Sequence, residues 1–190
     1  MVTDLGITTD AIDEATTPPF NGSSNIDCDF EYGTCGWQQS YHDDFDWSRN
    51  SGGTWSTNTG PSGDHTTGYG YYMYIETSPS YYGQDARLIS PAQYRYGPQC
   101  LKFWYHMYGI TINSLNVYKS ASTTPRSNDV IFSLTGDSGN AWYEAQVSID
   151  NYTQPFYITM EGVRGSSSTG DIAIDDIRLS QGSCQQVKLQ

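Results

Sequence analysis

Cys28-Asp29-Phe30-Glu31-Tyr32-Gly33-Thr34-Cys35-Gly36-Trp37 is the stretch on which the reading of this chain turns. Taken as a strand, it sends Asp29 and Glu31 to one face and Phe30 and Tyr32 to the other, because successive side chains alternate across a pleated backbone. Two carboxylates ~4 Å apart at a partly shielded site repel by roughly 4 kcal/mol, so such a face needs water, a cation or a proton to relieve it. A cysteine brackets each end, so the stretch is expected to be cross-linked as well as charged.

The composition around it is that of a β-rich recognition surface. A chain of 190 residues is long enough for one well-buried domain and short for two. It carries 16 Tyr, 5 Trp and 6 Phe with only 16% charged residues, and the helix formers Ala, Leu, Glu and Lys are scarce. The net charge of −12 argues against nucleic acid, since phosphate neutralisation needs clustered Lys and Arg and the 9 present are scattered. Cations and basic surfaces fit better. Four cysteines without CxxC spacing suit two disulfides in an oxidising compartment better than a zinc site. The sequons at Asn21 and Asn151 allow glycosylation on the same side of a membrane. No apolar run of membrane-spanning length and no basic-then-apolar leader is present, so the chain reads as a mature fragment or excised module with Met1 added.

Residues 1–26 are acidic and rich in Thr, Pro and Ser, which reads as a linker or disordered arm with at most a short amphipathic turn near Ile7 to Ile12. From Cys28 onward short strands alternate with turns. Asp43 to Ser48 alternates acid with aromatic, and the glycines and proline of 60–68 make a loop that delivers Asp64 to a Tyr-rich strand from Tyr69 to Glu76. Ala86 to Ile89 is a strand stopped by Pro91. Cys100 to Tyr108 is the strongest strand signal, with Leu101, Phe103, Tyr105 and Met107 forming an inner face and Lys102, Trp104 and His106 the other. Ser114 to Lys119, Val130 to Leu134, Tyr143 to Ile149, Phe156 to Gly162 and Ile172 to Leu179 complete about ten strands with no helical-period segment between them, which argues for an antiparallel sandwich. In this layout Cys28 and Cys35 can close a local loop, leaving Cys100 to meet Cys184 at opposite ends of the folded region.

Taken together, these segments resemble a MAM domain, the extracellular module of meprin, neuropilin and receptor tyrosine phosphatase mu. The matching pieces are Cys28-Asp-Phe-Glu through Cys35-Gly-Trp37, Gly60-Pro-x-x-Asp-His-Thr-x-Gly68, Ala86-Arg-Leu-x-Ser-Pro91, Cys100-Leu-x-Phe-Trp-Tyr-His-Met107, Trp142, Val147, and Gly170-Asp-Ile-Ala-Ile-Asp-Asp-Ile177 running to Cys184. The resemblance spans essentially 28–184, within a domain read as 27–184, leaving 185–190 as a tail. It implies an all-β, jelly-roll-like sandwich of two antiparallel sheets with the same cysteine pairing. It also implies a non-catalytic role in adhesion or oligomer assembly within secreted or cell-surface multidomain proteins, whose catalytic activity, if any, would lie in a separate domain. The Tyr- and Gly-rich stretch 67–83 departs from the family pattern and is expected to tune contacts.

Several residues are candidates for a site. In Ile172 to Leu179 the alternate set Ala173, Asp175, Ile177 and Leu179 is the apolar one, which points Asp175 toward the interior. If the last strand neighbours the first, Asp29, Glu31, Asp64 and Asp175, with Asp176 as substitute, form an oxygen cage suited to structural Ca²⁺. Similar jelly-roll modules carry an ion there. The alternative is that Asp29 and Asp64 accept N–H bonds in turns while Asp175 or Asp176 pairs with Arg178 or Arg87. His42, His65 and His106 match no catalytic motif, and an Asp pair acting on glycosides is disfavoured by acids placed at strand ends. Tyr69, Tyr71, Tyr72, Tyr74, Tyr81 and Tyr82 are more tyrosine than one core needs and form the candidate contact surface. The partners expected are other proteins, including a second copy of the chain, with glycans as the competing reading and neither nucleic acid nor membrane insertion.

Overall fold

The computed structural model describes residues 26–75, 81–94, 96–150 and 155–185. Ten strands lie among them: β1 (Gln38–Gln39), β2 (Ser48–Ser51), β3 (Tyr71–Ile75), β4 (Asp85–Ile89), β5 (Gln99–Gly109), β6 (Ser114–Ser120), β7 (Val130–Thr135), β8 (Tyr143–Ile149), β9 (Tyr157–Val163) and β10 (Gly170–Gln181). They form two five-stranded sheets, ordered β1-β4-β9-β6-β7 and β2-β3-β10-β5-β8. Every paired neighbour is antiparallel. This is the expected two-sheet sandwich. The only helical element among the described residues is a single 3₁₀ turn, Ser127–Asp129.

The core lies between the sheets because each contributes one apolar face. From β5 come Leu101, Phe103 and Met107, from β6 Leu115 and Val117, and from β9 Ile158 and Met160, all fully buried. Trp47 and Trp37 enter the same core, each with its indole N–H donating to a carbonyl, of Ala86 and Ile26 respectively, both at 2.9 Å. A buried indole needs such a partner. Ile26, placed in the arm by the sequence, is fully buried in this core, so packing begins at least one residue earlier.

Both disulfides are formed, Cys28–Cys35 and Cys100–Cys184. Cys28 exchanges two backbone hydrogen bonds with Ile177 of β10, so the opening and closing segments do lie side by side. The stretch 28–37, however, is not a strand. It is a turn-rich loop in which Phe30 and Cys35 take left-handed backbone angles, φ +58° and +52°. The turn breaks the alternation: Phe30 is fully buried while Tyr32 is fully exposed.

The second departure is in β10. A bulge between Asp175 and Arg178 leaves Asp176 at φ +47° and shifts the inward parity by one. Ile172 and Ile174 before the bulge, and Ile177 and Leu179 after it, all reach the main core. Ala173 and Asp175 therefore face the outer side of their sheet, together with His106 and Trp104 on the paired strand.

Candidate functional site

That outer face is itself covered. The 52–70 loop and the 136–142 loop close over it around a second apolar cluster of Tyr72, Tyr74 and Ala173, against which Trp142 packs. Gly60 N donates to Tyr108 O, Tyr72 Oη to Gly52 O and Trp142 Nε1 to Gly63 O, so the cover is held by backbone acceptors. His65 stacks on Trp104 with ring centroids 3.6 Å apart and Trp142 on its edge.

The acidic residues sit at the margin of this cover. Asp64 is buried and accepts four groups: the N–H of Thr66 (3.1 Å), of Thr67 (2.8 Å) and of Gly70 (2.6 Å), and the Thr67 hydroxyl (2.9 Å). Burial raises its carboxyl pKa, but these donors outweigh burial and hold it below the ordinary value. Asp175 is buried next to it and accepts the N–H of His65 at 2.9 Å and of Asp176 at 2.7 Å. Its pKa is pushed up to about 7, chiefly by burial; the His65 N–H opposes the shift, and the charges of Asp176 and Asp64 add to it. Asp176 takes the Thr66 hydroxyl at 2.5 Å and His65 Nδ1 at 2.8 Å, with Arg178 3.8 Å away.

Asp64, Asp175 and Asp176 are thus brought together around the His65-Thr66-Thr67 turn. Glu31 reaches the other end of the same loop, accepting Tyr71 N at 2.8 Å and lying against Gly70. A Cβ at Gly70 would sit 2.0 Å from the Glu31 Oε1, so any larger residue there would push the Glu31 carboxylate aside. Asp29 stays exposed and, among the described residues, accepts Glu31 N at 3.2 Å. Asp29 and Asp64 therefore carry the turn hydrogen bonds of the ion-free alternative. Among the described residues no group of three or more His, Cys, Asp or Glu side chains is arranged to hold a metal ion.

The expected tyrosine surface divides in two. Tyr69, Tyr81 and Tyr82 are largely exposed and Tyr71 is partly so, with Arg49 lying 3.5 Å over its ring. Tyr72 and Tyr74 are not surface residues. They are buried on the covered outer face, and burial pushes the Tyr72 hydroxyl up to about 12 despite a hydrogen bond from Asn50. Glu76, Asn21 and Asn151 lie outside the described residues. His106, pointing away from the main core as expected, is nonetheless buried, with Nε2 against Asn140 Oδ1 and Trp142 on its ring. Sequence reading missed Tyr32, Tyr41 and Trp55, each almost wholly exposed. No local signal marks them, since Phe30 in the same turn-rich loop as Tyr32 is fully buried and Trp142 in a Gly- and Ser-rich loop packs on the covered face.

The family model described as MAM domain, meprin/A5/mu, matches residues 28–185. The chain is 45% identical over 179 residues to rat MAM domain-containing glycosylphosphatidylinositol anchor protein 1, covering 88% of this chain and 18% of that protein. It is 41% identical over 168 residues to thyroid hormone-induced protein B of Xenopus laevis, covering 88% of this chain and 24% of that one. The chain thus spans about a quarter or less of these relatives' length. Among solved structures, the K3 adhesin domain of Lys-gingipain from Porphyromonas gingivalis superposes with a TM-score of 0.58 at 18% identity, covering 85% of this chain and 100% of that one, a likeness of fold alone.

Proposed function

The chain belongs to the MAM domain family, and from that membership we propose that it is a non-catalytic, extracellular protein-interaction module of a longer secreted or cell-surface protein. The observation that carries this reading is the family match across 28–185 in a chain whose four cysteines are all paired, a state that persists in oxidising compartments. The glycosylphosphatidylinositol-anchor names of the relatives point to the same side of the membrane. The exposed Tyr69, Tyr71, Tyr81 and Tyr82, with Tyr32 and Trp55, supply the large, low-entropy side chains that contact surfaces use. Native mass by light scattering across a concentration series tests self-association, and a glycan array tests the competing sugar-binding role. Saturable binding to defined sugars lost on Tyr69→Ala or Tyr82→Ala would replace the protein-interaction reading. An enzymatic activity lost in Asp64→Asn would end the non-catalytic one.

We also propose that Ca²⁺ stabilises the acidic margin formed by Glu31, Asp64, Asp175 and Asp176. Supporting it, three carboxylates crowd one turn, Arg178 approaches only Asp176, and the buried Asp175 is expensive to ionise without a counter-charge. The described hydrogen bonds already occupy these oxygens, so an ion would have to share or displace their donors. Thermal unfolding in calcium and in chelator decides between cation and proton. A rise in Tm with calcium is expected; superimposable curves would remove the ion.

A further inference from the structure

We propose that the phenolic oxygen of Tyr41 is a site of tyrosine O-sulfation, an inference that rests on the extracellular reading above. The geometry starts at the edge of the first sheet. The pairing Gln38↔Ile89 and Gln39↔Leu88 continues with Ser40 N donating to Arg87 O at 2.9 Å, and backbone pairing resumes with Asp44 N donating to Asp85 O at 3.0 Å. Four residues advance here while the partner strand advances two. The two surplus residues, Tyr41 and His42, stand off the sheet edge, and Tyr41 is 96% exposed. The base of the protrusion is fixed: the Asp43 carboxylate accepts Arg87 N at 2.5 Å and the Asp44 carboxylate accepts Asp85 N at 3.1 Å.

Along the sequence the charge beside the phenol is acidic, and Arg87 lies near enough to Asp43 to act on its carboxylate. Asp43, Asp44 and Asp46 follow within five residues, and no Lys or Arg precedes Arg49 anywhere in the chain. An enzyme that binds an anionic phosphosulfate donor presents a cationic surface, and an acidic acceptor loop is what such a surface attracts. In the transfer, the Tyr41 oxygen attacks the donor sulfur. An O–S bond forms to the phenol as the S–O bond to the nucleotide phosphate breaks; the phosphate leaves and a base of the transferase takes the phenolic proton. No electron changes hands.

Tyr32, Tyr94 and Tyr96 each lack one or other feature. Tyr32 follows Asp27, Asp29 and Glu31, but its loop is closed by the Cys28–Cys35 bridge and tied down by Arg49, which donates to Phe30 O and Glu31 O. It cannot straighten into a cleft. Tyr94 and Tyr96 flank Arg95. Sulfation at Tyr41 would place a fixed negative charge on a protruding tip, a contact point for arginine or lysine of a partner.

The test incubates the purified, disulfide-bonded chain with a tyrosylprotein sulfotransferase and a nucleotide phosphosulfate donor, and locates the ester by peptide mass spectrometry. In parallel the chain is secreted from cells that carry this activity, with and without chlorate to block donor synthesis. One sulfonate on Tyr41 is expected, absent in Tyr41→Phe and after chlorate, and formed about tenfold more slowly in the Asp43→Asn/Asp46→Asn variant, whose circular dichroism stays that of the parent. An unmodified Tyr41 under conditions that modify an acidic control peptide overturns the proposal, as does preference for Tyr32, or modification by purified enzyme without any in the secreted chain. A chain secreted with both disulfides but bare at Tyr41 would end this inference and leave the extracellular reading intact. A chain retained and reduced in the cell would end that reading while the purified reaction still decides Tyr41.

Discussion

Asp64 and Asp175 lie side by side yet titrate in opposite directions, because what each touches differs. Asp64 is surrounded by donors, so its carboxylate form is favoured and its pKa lies below 3.8. Its contribution to stability is present above the unfolded-state pKa and is lost as pH falls through the folded one, in the strongly acid range. Asp175 is buried with only two donors and two acidic neighbours, and its pKa is raised to about 7. The native state then holds a proton that the unfolded chain releases near 3.8. That contribution is complete below 3.8 and is lost as pH rises through about 7. In metal-free buffer, Tm is therefore expected to rise as pH is lowered from neutrality toward 5, and Asp175→Asn should flatten that rise. A Tm independent of pH in the parent would contradict it. Asp64→Ala strands the Thr66, Thr67 and Gly70 donors and is expected to cost about 3 kcal/mol or more in urea unfolding, with Asp64→Asn costing less.

β10 shows what one extra residue does to an element. Its sequence Ile172-Ala-Ile-Asp-Asp-Ile-Arg-Leu179 alternates in two registers, and the bulge at Asp176 joins them so that Ile172, Ile174, Ile177 and Leu179 share one core. Deleting Asp176 would turn Ile177 and Leu179 outward, each forfeiting about 2 kcal/mol of burial, and the cooperative near-ultraviolet melt is expected to vanish. Asp176→Gly keeps the left-handed backbone and should retain that melt at lower Tm. Strand existence was legible from the sequence: β5, β8 and β9 fall within a residue or so of where alternation put them. The bulge was not, because unbroken alternation made Asp175 look inward to the main core when it faces the covered outer side. The same error of counting by twos read Cys28 to Trp37 as a strand, though Phe30 and Cys35 adopt angles that strands exclude.

Across the whole molecule, the two bridges do different work. Cys28–Cys35 spans seven positions and Cys100–Cys184 spans eighty-four. The chain-entropy model assigns about 2.5 kcal/mol to the short ring and about 4.5 to the long one, so the Cys100→Ser/Cys184→Ser pair is expected to lower the urea midpoint more than Cys28→Ser/Cys35→Ser. Equal losses would mean that the short ring stabilises through Phe30 packing rather than chain entropy. The long bridge secures strands already paired, since Ser180 faces Cys100 in register.

Fold class and disulfide partners could be reached from the amino-acid order alone, because alternation, turn residues and the placement of four cysteines are local signals, and the family followed from the resemblance of the motifs in their order. Which aromatics face solvent, and where the acids meet, only the folded chain decided. Tyr72 and Tyr74 read like Tyr69 and Tyr82 in sequence, but a loop that folds back over the outer sheet face buries the first pair and leaves the second in water. Burial on a sheet's outer side depends on a distant segment crossing it, and no periodicity within the strand records that.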